Sequence, residues 1–109
     1  MPTYDVTVVG GGIVGLATAM VWGQRFPGAT LIVLEKEPTV GVHQTGHNSG
    51  VIHSGLYYRP GSLRAQTCVA GARLMVEFCQ ANRIPHRLCG KLVVATEASE
   101  VAALERLYQ

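Results

Sequence analysis

The chain has 109 residues, which is enough for one small domain and too few for two. Hydrophobic residues make up 48% of it and charged residues only 15%, which excludes a disordered segment, a coiled coil and a collagen-like repeat. The nine lysines and arginines are scattered and the formal net charge is +2, so we expect no nucleic-acid partner. The apolar stretches are shorter than a bilayer span.

The first elements in chain order predict a strand–helix–strand unit. Residues 4–9 (YDVTVV) are rich in β-forming residues and end at a glycine cluster, which indicates a buried strand. Residues 13–25 are nearly all apolar and compatible with a helix, which Pro27 and Gly28 would end. Residues 30–35 (TLIVLE) predict a second buried strand. This order over about 30 residues predicts parallel strands joined by a right-handed crossover.

The rest of the chain is less regular. Residues 38–61 are glycine-rich and lack clear periodicity, and a stretch of this length suggests a functional loop. Ser62 is the predicted N-cap of a helix that reaches about Asn82. Residues 90–96 (GKLVVAT) predict a third strand, and a last helix begins near Ala98. Because the chain stops inside that helix, we expect the front portion of a longer protein, without its substrate domain.

The helix that follows Ser62 carries apolar residues on one face. At 3.6 residues per turn the expected stripe is Ala65, Cys68, Ala72, Met75 and Cys79. The chain has three cysteines and no CxxC pair, which argues against a disulfide framework and for a reducing compartment. Cys68 and Cys79 are expected to be small core residues. No basic segment precedes the first apolar run, so we expect no signal peptide and a cytoplasmic location.

A nucleotide-binding pattern lies between the first strand and the first helix. In the GxGxxG motif, Gly10 permits the tight turn, Gly12 lets a pyrophosphate approach the main chain, and Gly15 lets the helix pack closely on the sheet. The amides at the helix N-terminus favour an anion. Glu35 follows about 20 residues after Gly15, where its carboxylate would accept hydrogen bonds from ribose hydroxyls and repel a 2′-phosphate. The pattern predicts an α/β fold with a site for NAD or FAD rather than NADP.

Residues 43–61 distinguish between these two cofactors. They read HQTGHNSGVIHSGLYYRPG, and with the glycine motif they resemble the FAD-dependent oxidoreductases of the D-amino-acid oxidase superfamily. More narrowly, residues 34–71 and the later CGKLVVAT are similar to the L-2-hydroxyglutarate dehydrogenase/oxidase family. The resemblance covers essentially the whole chain, but only the opening part of a family member. An NAD-dependent dehydrogenase would continue with regular strands and helices after the acid. This chain continues instead with a long loop rich in glycine and histidine.

The resemblance implies a Rossmann-like FAD-binding unit with an incomplete parallel sheet flanked by helices. It implies oxidation of L-2-hydroxyglutarate to 2-oxoglutarate by hydride transfer to the flavin. The alternatives are an amine, amino acid or glycerol phosphate as substrate, or an inactive nucleotide-binding fragment. The electron acceptor would be oxygen or a quinone, and a quinone leaves peripheral membrane contact open. The implied FAD-binding residues are Gly10, Gly12, Ile13, Val14, Gly15, Glu35, Lys36, Thr45, Gly46, Asn48, Ser49, Gly50 and Val51.

Histidines of the loop are the remaining candidates for chemistry. His53 is the candidate catalytic residue, because oxidation of a secondary alcohol needs a base for the hydroxyl proton. Its alternative role is to order the loop backbone. Arg59 could meet a substrate carboxylate, although a solvated arginine is the more ordinary interpretation. His43 and His47 have HxxxH spacing in a glycine-containing loop without an evident carboxylate or cysteine partner, so we expect loop-ordering hydrogen bonds and no metal site.

Overall fold

The computed structural model describes residues 2–108, which divide into two compact units between Gly50 and Val51. The first unit contains strand β1 (Val6–Val9), helix α1 (Ile13–Arg25) and strand β2 (Leu31–Leu34). The second contains helix α2 (Leu63–Ala81) and helix α3 (Val101–Tyr108), the latter preceded by a 3-10 turn (Ala98–Glu100). The predicted helices and the first two strands are confirmed. None of the helices described is long and apolar enough to cross a membrane.

The two strands are parallel, as the strand–helix–strand order predicts. Val6 lies opposite Leu31 and Val9 opposite Leu34. A clamp just before the first pair fixes this register, because Oδ2 of Asp5 accepts hydrogen bonds of 2.8 Å from both the amide and the hydroxyl of Thr30. The Thr30 amide, and then its hydroxyl, hold the pKa of Asp5 below its usual range. The clamp therefore stabilises the sheet only while Asp5 is ionised.

The expectation of two buried strands is wrong. Val9 is 83% exposed and Leu34 is 49% exposed, and no residue of α1 is buried. One helix against a two-stranded sheet covers one face at most, so apolar strand residues stay accessible. In β1 the half-buried Val6 and Val8 alternate with the exposed Thr7 and Val9, which is the period of a strand covered on one side.

Helix α2 begins where the sequence predicts. The Ser62 hydroxyl accepts a hydrogen bond of 3.2 Å from the Ala65 amide, which confirms the N-cap. Cys79 is buried at 7% exposure and Cys68 is half-buried, and all three cysteines are free. The predicted stripe is wrong at Met75, which is exposed. The next half-buried residue after Ala72 is Val76, because the spacing between residues on this face of the helix is four there and not three.

The predicted third strand is not found in the part of the chain that the structure describes. Residues 90–96 form no strand, and the sheet within residues 2–108 consists of β1 and β2. A strand needs a neighbour to supply its hydrogen bonds, so an apolar β-rich run does not make a strand by itself. The segment instead ends in a local cap, where the amide and hydroxyl of Thr96 donate to the Glu100 carboxylate at 2.9 and 3.0 Å.

Candidate functional site

The turn that ends β1 has the geometry that only glycine adopts easily. Gly10 has a φ of 106°, and its amide donates to the Leu34 carbonyl at 2.8 Å. This bond continues the sheet pairing by one residue before the chain turns into α1. The predicted tight turn at Gly10 is confirmed, since a side chain there would be strained.

Gly15 lies where α1 packs against the end of β1 and the turn that follows it. A Cβ atom at this position would overlap the Gly10 carbonyl oxygen and would lie 3.3 Å from Cγ1 of Val8. The obstacle is a main-chain atom, which cannot rotate away. The close helix–strand packing predicted for the third glycine of the motif is therefore confirmed.

The start of α1 leaves main-chain donors available. The Thr45 hydroxyl accepts a hydrogen bond of 2.9 Å from the Ile13 amide, so a residue 32 positions away caps this helix. Within residues 2–108 the amides of Gly12, Val14 and Gly15 donate to no protein group. The first turn holds no acidic side chain. Three open donors at the positive end of a helix suit the oxygens of a pyrophosphate.

Glu35 lies directly after β2, beside this turn. Its Oε2 accepts a hydrogen bond of 2.6 Å from the Gly11 amide, and its Oε1 accepts one of 3.0 Å from the Glu37 amide. The amides of Glu37 and then Gly11 hold the pKa of the Glu35 carboxyl below its usual range. An ionised carboxylate has about four acceptor positions, so two remain for the hydroxyls of a ribose.

Gly11 is a residue of this site that the motif did not single out. It is buried, its amide binds Glu35, and its carbonyl accepts a hydrogen bond of 3.0 Å from the Gly41 amide. The GxGxxG pattern leaves this position open, and the only signal in the sequence is that it is the middle one of three consecutive glycines. Gly11 thus connects the turn both to the acid and to the following loop.

The loop after Glu35 is ordered by its own histidines. Nε2 of His43 lies 3.0 Å from Oε1 of Glu37, and Nδ1 of His47 lies 3.0 Å from the His43 carbonyl oxygen. The predicted loop-ordering bonds are confirmed, but the statement that no carboxylate lies near His43 is wrong. Lys36 is exposed and pairs with Glu37 at 3.4 Å. Among residues 2–108 there is no cluster of three metal-ligating side chains.

The rest of the loop folds around Asn48. Its amide nitrogen donates to the Gln44 and Thr45 carbonyls at 3.1 and 2.7 Å, and its oxygen accepts from the Gly50 amide at 2.7 Å. Gly46 packs against the chain, since a Cβ there would lie 2.7 Å from the Gly41 carbonyl oxygen. The structure therefore brings Thr45, Gly46, Asn48 and Gly50 together in the first unit. The side chains of Ser49 and Val51 are exposed, and Val51 belongs to the second unit.

His53 lies in the second unit and its side chain is exposed. Its carbonyl oxygen accepts a hydrogen bond of 3.4 Å from the Cys68 thiol. Gly55, with a φ of 85°, also lies against Cys68, since a Cβ there would be 3.7 Å from the sulfur. The backbone around His53 is thus held on α2 while the imidazole is accessible. Arg59 is also exposed, and its carbonyl accepts from the Ser62 hydroxyl at 2.6 Å.

Comparisons with known proteins identify the family of the chain. A family model described as "FAD dependent oxidoreductase" matches residues 5–109. The mitochondrial L-2-hydroxyglutarate dehydrogenase of Homo sapiens is 54% identical over 107 residues, which are 98% of this chain and 23% of that protein. The Dictyostelium discoideum protein of the same name is 53% identical over 99% of the chain and 24% of its own length. L-2-hydroxyglutarate dehydrogenase of the bacterium Indibacter alkaliphilus is 52% identical over 97% and 27%.

The chain thus spans about a quarter of the length of these relatives. The resemblance stated from the sequence is confirmed. The expected cytoplasmic location is wrong, because the relatives from Homo sapiens, Dictyostelium discoideum and Bos taurus are named as mitochondrial.

Proposed function

Because the chain belongs to the FAD-dependent oxidoreductase family, we propose that it is the FAD-binding front part of an enzyme that oxidises L-2-hydroxyglutarate to 2-oxoglutarate. The substrate is supported by relatives named L-2-hydroxyglutarate dehydrogenase, which are 52–55% identical over nearly all of this chain. The structural observation that carries the cofactor assignment is the group of open amides at the start of α1, next to an ionised Glu35.

The described residues fit the ribose and the pyrophosphate of the adenosine diphosphate half of FAD. The Gly12 and Val14 amides would hold the pyrophosphate, with Gly10 and Gly15 allowing the turn and the close packing beneath it. Glu35 would accept hydrogen bonds from both ribose hydroxyls. Its lowered pKa supports this role, since a carboxylate that stays ionised accepts hydrogen bonds and repels a 2′-phosphate, which FAD lacks.

The loop residues would hold the remainder of the cofactor. The Thr45 hydroxyl accepts from Ile13, so its own hydrogen is available to a phosphate oxygen. Lys36 would lie beside the adenine. The flavin end of FAD would be held by hydroxyl, amide and main-chain groups of residues in the loop. These residues are Gly46, Asn48, Ser49, Gly50 and Val51.

Bound FAD would supply a hydride acceptor for C2 of the 2-hydroxy acid. His53 would take the proton of the C2 hydroxyl as general base, so that the carbonyl of 2-oxoglutarate forms as the C2–H bond breaks. The Cys68 thiol would support this role by holding the His53 main chain while the imidazole stays accessible.

The test uses the complete natural polypeptide that contains these 109 residues. The purified protein is expected to carry a flavin absorbance at about 450 nm that bleaches when L-2-hydroxyglutarate is added without oxygen. D-2-Hydroxyglutarate is the matched control and should leave the spectrum unchanged. A flavin that bleaches only with an amine, an amino acid or glycerol phosphate would refute the substrate, and a colourless protein that binds no FAD would refute the cofactor. Recovery of the absorbance with air, or only with a quinone, would identify the electron acceptor.

A further inference from the structure

The middle glycine of the GGG run is in an unusually restricted place. Gly11 is buried, and its amide and its carbonyl are both used, one by the Glu35 carboxylate and the other by the Gly41 amide. A Cβ atom on this residue would lie 2.9 Å from Oε2 and 3.2 Å from Cβ of Glu35, and 3.0 Å from Cγ1 of Val40. A methyl group at this position therefore has no space unless one of these side chains moves.

The atom that gives way most easily is the carboxylate oxygen. Oε2 is at the end of a rotatable side chain, whereas the Glu35 Cβ is fixed to the main chain at the end of β2. Oε2 is also the atom bound by the Gly11 amide. Relief of the contact by rotation thus turns the carboxylate away from its donor.

We propose that Gly11 is a positioning residue for the cofactor, because the absence of a side chain lets its amide hold the Glu35 carboxylate in a fixed orientation. The inference rests on the proposed function, in which that carboxylate receives the ribose hydroxyls. It adds a size requirement at a position that the glycine motif leaves open. The requirement is steric, since φ of Gly11 lies outside the left-handed region and alanine would bring no backbone strain.

The first experiment measures FAD affinity of the complete natural polypeptide by flavin fluorescence titration of the apoprotein. Gly11→Ala is expected to weaken FAD binding by about tenfold or more. Gly23→Ala is the matched control, because a Cβ there has no neighbour within 4 Å, and its affinity should stay within about twofold of the wild type. Equal affinities for Gly11→Ala and the wild type would overturn the proposal.

A double-mutant cycle tests whether Gly11 acts through the acid. In a Glu35→Ala background, Gly11→Ala is expected to add less than about a twofold further loss, since residues in one network are not additive. A further loss as large as in the wild-type background would contradict the proposal. Glu35→Asp gives the same information with Gly11 intact, because the shorter acid retains the charge and withdraws from the Gly11 amide. Wild-type affinity for FAD in Glu35→Asp would also overturn the proposal.

A second readout needs no FAD. The carboxyl pKa of Glu35, followed by carbon NMR in the apoprotein, should rise towards its ordinary value in Gly11→Ala and stay lowered in Gly23→Ala. An unchanged pKa in Gly11→Ala would mean that the amide does not hold the carboxylate. If the wild-type protein binds no FAD, the proposed function fails by itself, and the NMR titration alone decides whether Gly11 positions Glu35.

Discussion

Two glycine-to-alanine changes in the same helix are expected to shift stability in opposite directions. At Gly15 the added Cβ would overlap the main-chain oxygen of Gly10, so α1 must retreat from β1. Forced overpacking of this kind costs about 1–3 kcal/mol of unfolding free energy. At Gly23 the added Cβ meets nothing within 4 Å, and alanine in a helix interior gains about 0.8–1.0 kcal/mol over glycine.

The assay is urea unfolding of the complete natural polypeptide without FAD, followed by circular dichroism. The two variants should differ by about 2–4 kcal/mol in unfolding free energy, with the wild type between them. Both carry the same Gly→Ala replacement in α1, but only the methyl group at residue 15 meets the main chain before the helix. Shifts of the same sign, or a Gly15→Ala variant as stable as the wild type, would refute the packing described for the start of α1.

The remaining predictions concern a cap, a clamp and the candidate base. Thr45→Val should lose about 1 kcal/mol of unfolding free energy because the Ile13 amide loses its acceptor, and Thr45→Ser, measured by the same unfolding assay, should retain most of it. The pKa of Asp5 is lowered, so its clamp on Thr30 is fully present above the ordinary aspartate pKa and is lost as the pH falls through the lowered value. Unfolding curves measured between about pH 5 and pH 2 should therefore show a loss of unfolding free energy. The same pH series on Asp5→Asn should lack that loss. His53→Asn should lower kcat by about 10²–10⁴-fold in substrate turnover while the bound-flavin spectrum is unchanged, and a kcat near the wild type would place the base elsewhere.

Local signals in the sequence predicted the elements that local interactions build. The residue type of Ser62 and its place before a helical stripe predict an N-cap, and its hydroxyl makes that bond. The glycine motif predicts a turn at Gly10 and a close contact at Gly15, and the geometry matches both. These features depend on a few neighbouring residues, so the sequence contains the information they need.

Features that depend on distant residues were not predictable in the same way. Residues 90–96 have a strand-like composition, but strand formation depends on a partner that composition does not supply. The Ile13–Thr45 cap joins residues 32 positions apart. Gly11 was missed because the motif treats its position as free, whereas its constraint comes from Glu35 and Val40, which are near it only in the fold.

A crystal structure of the complete natural polypeptide with FAD bound would show where the cofactor lies. The pyrophosphate should be within hydrogen-bond distance of the Gly12 and Val14 amides, and both ribose hydroxyls should donate to Glu35, whose carboxylate should still accept from the Gly11 amide. FAD bound elsewhere, or a ribose held by another side chain with Glu35 turned away, would contradict the proposed binding site.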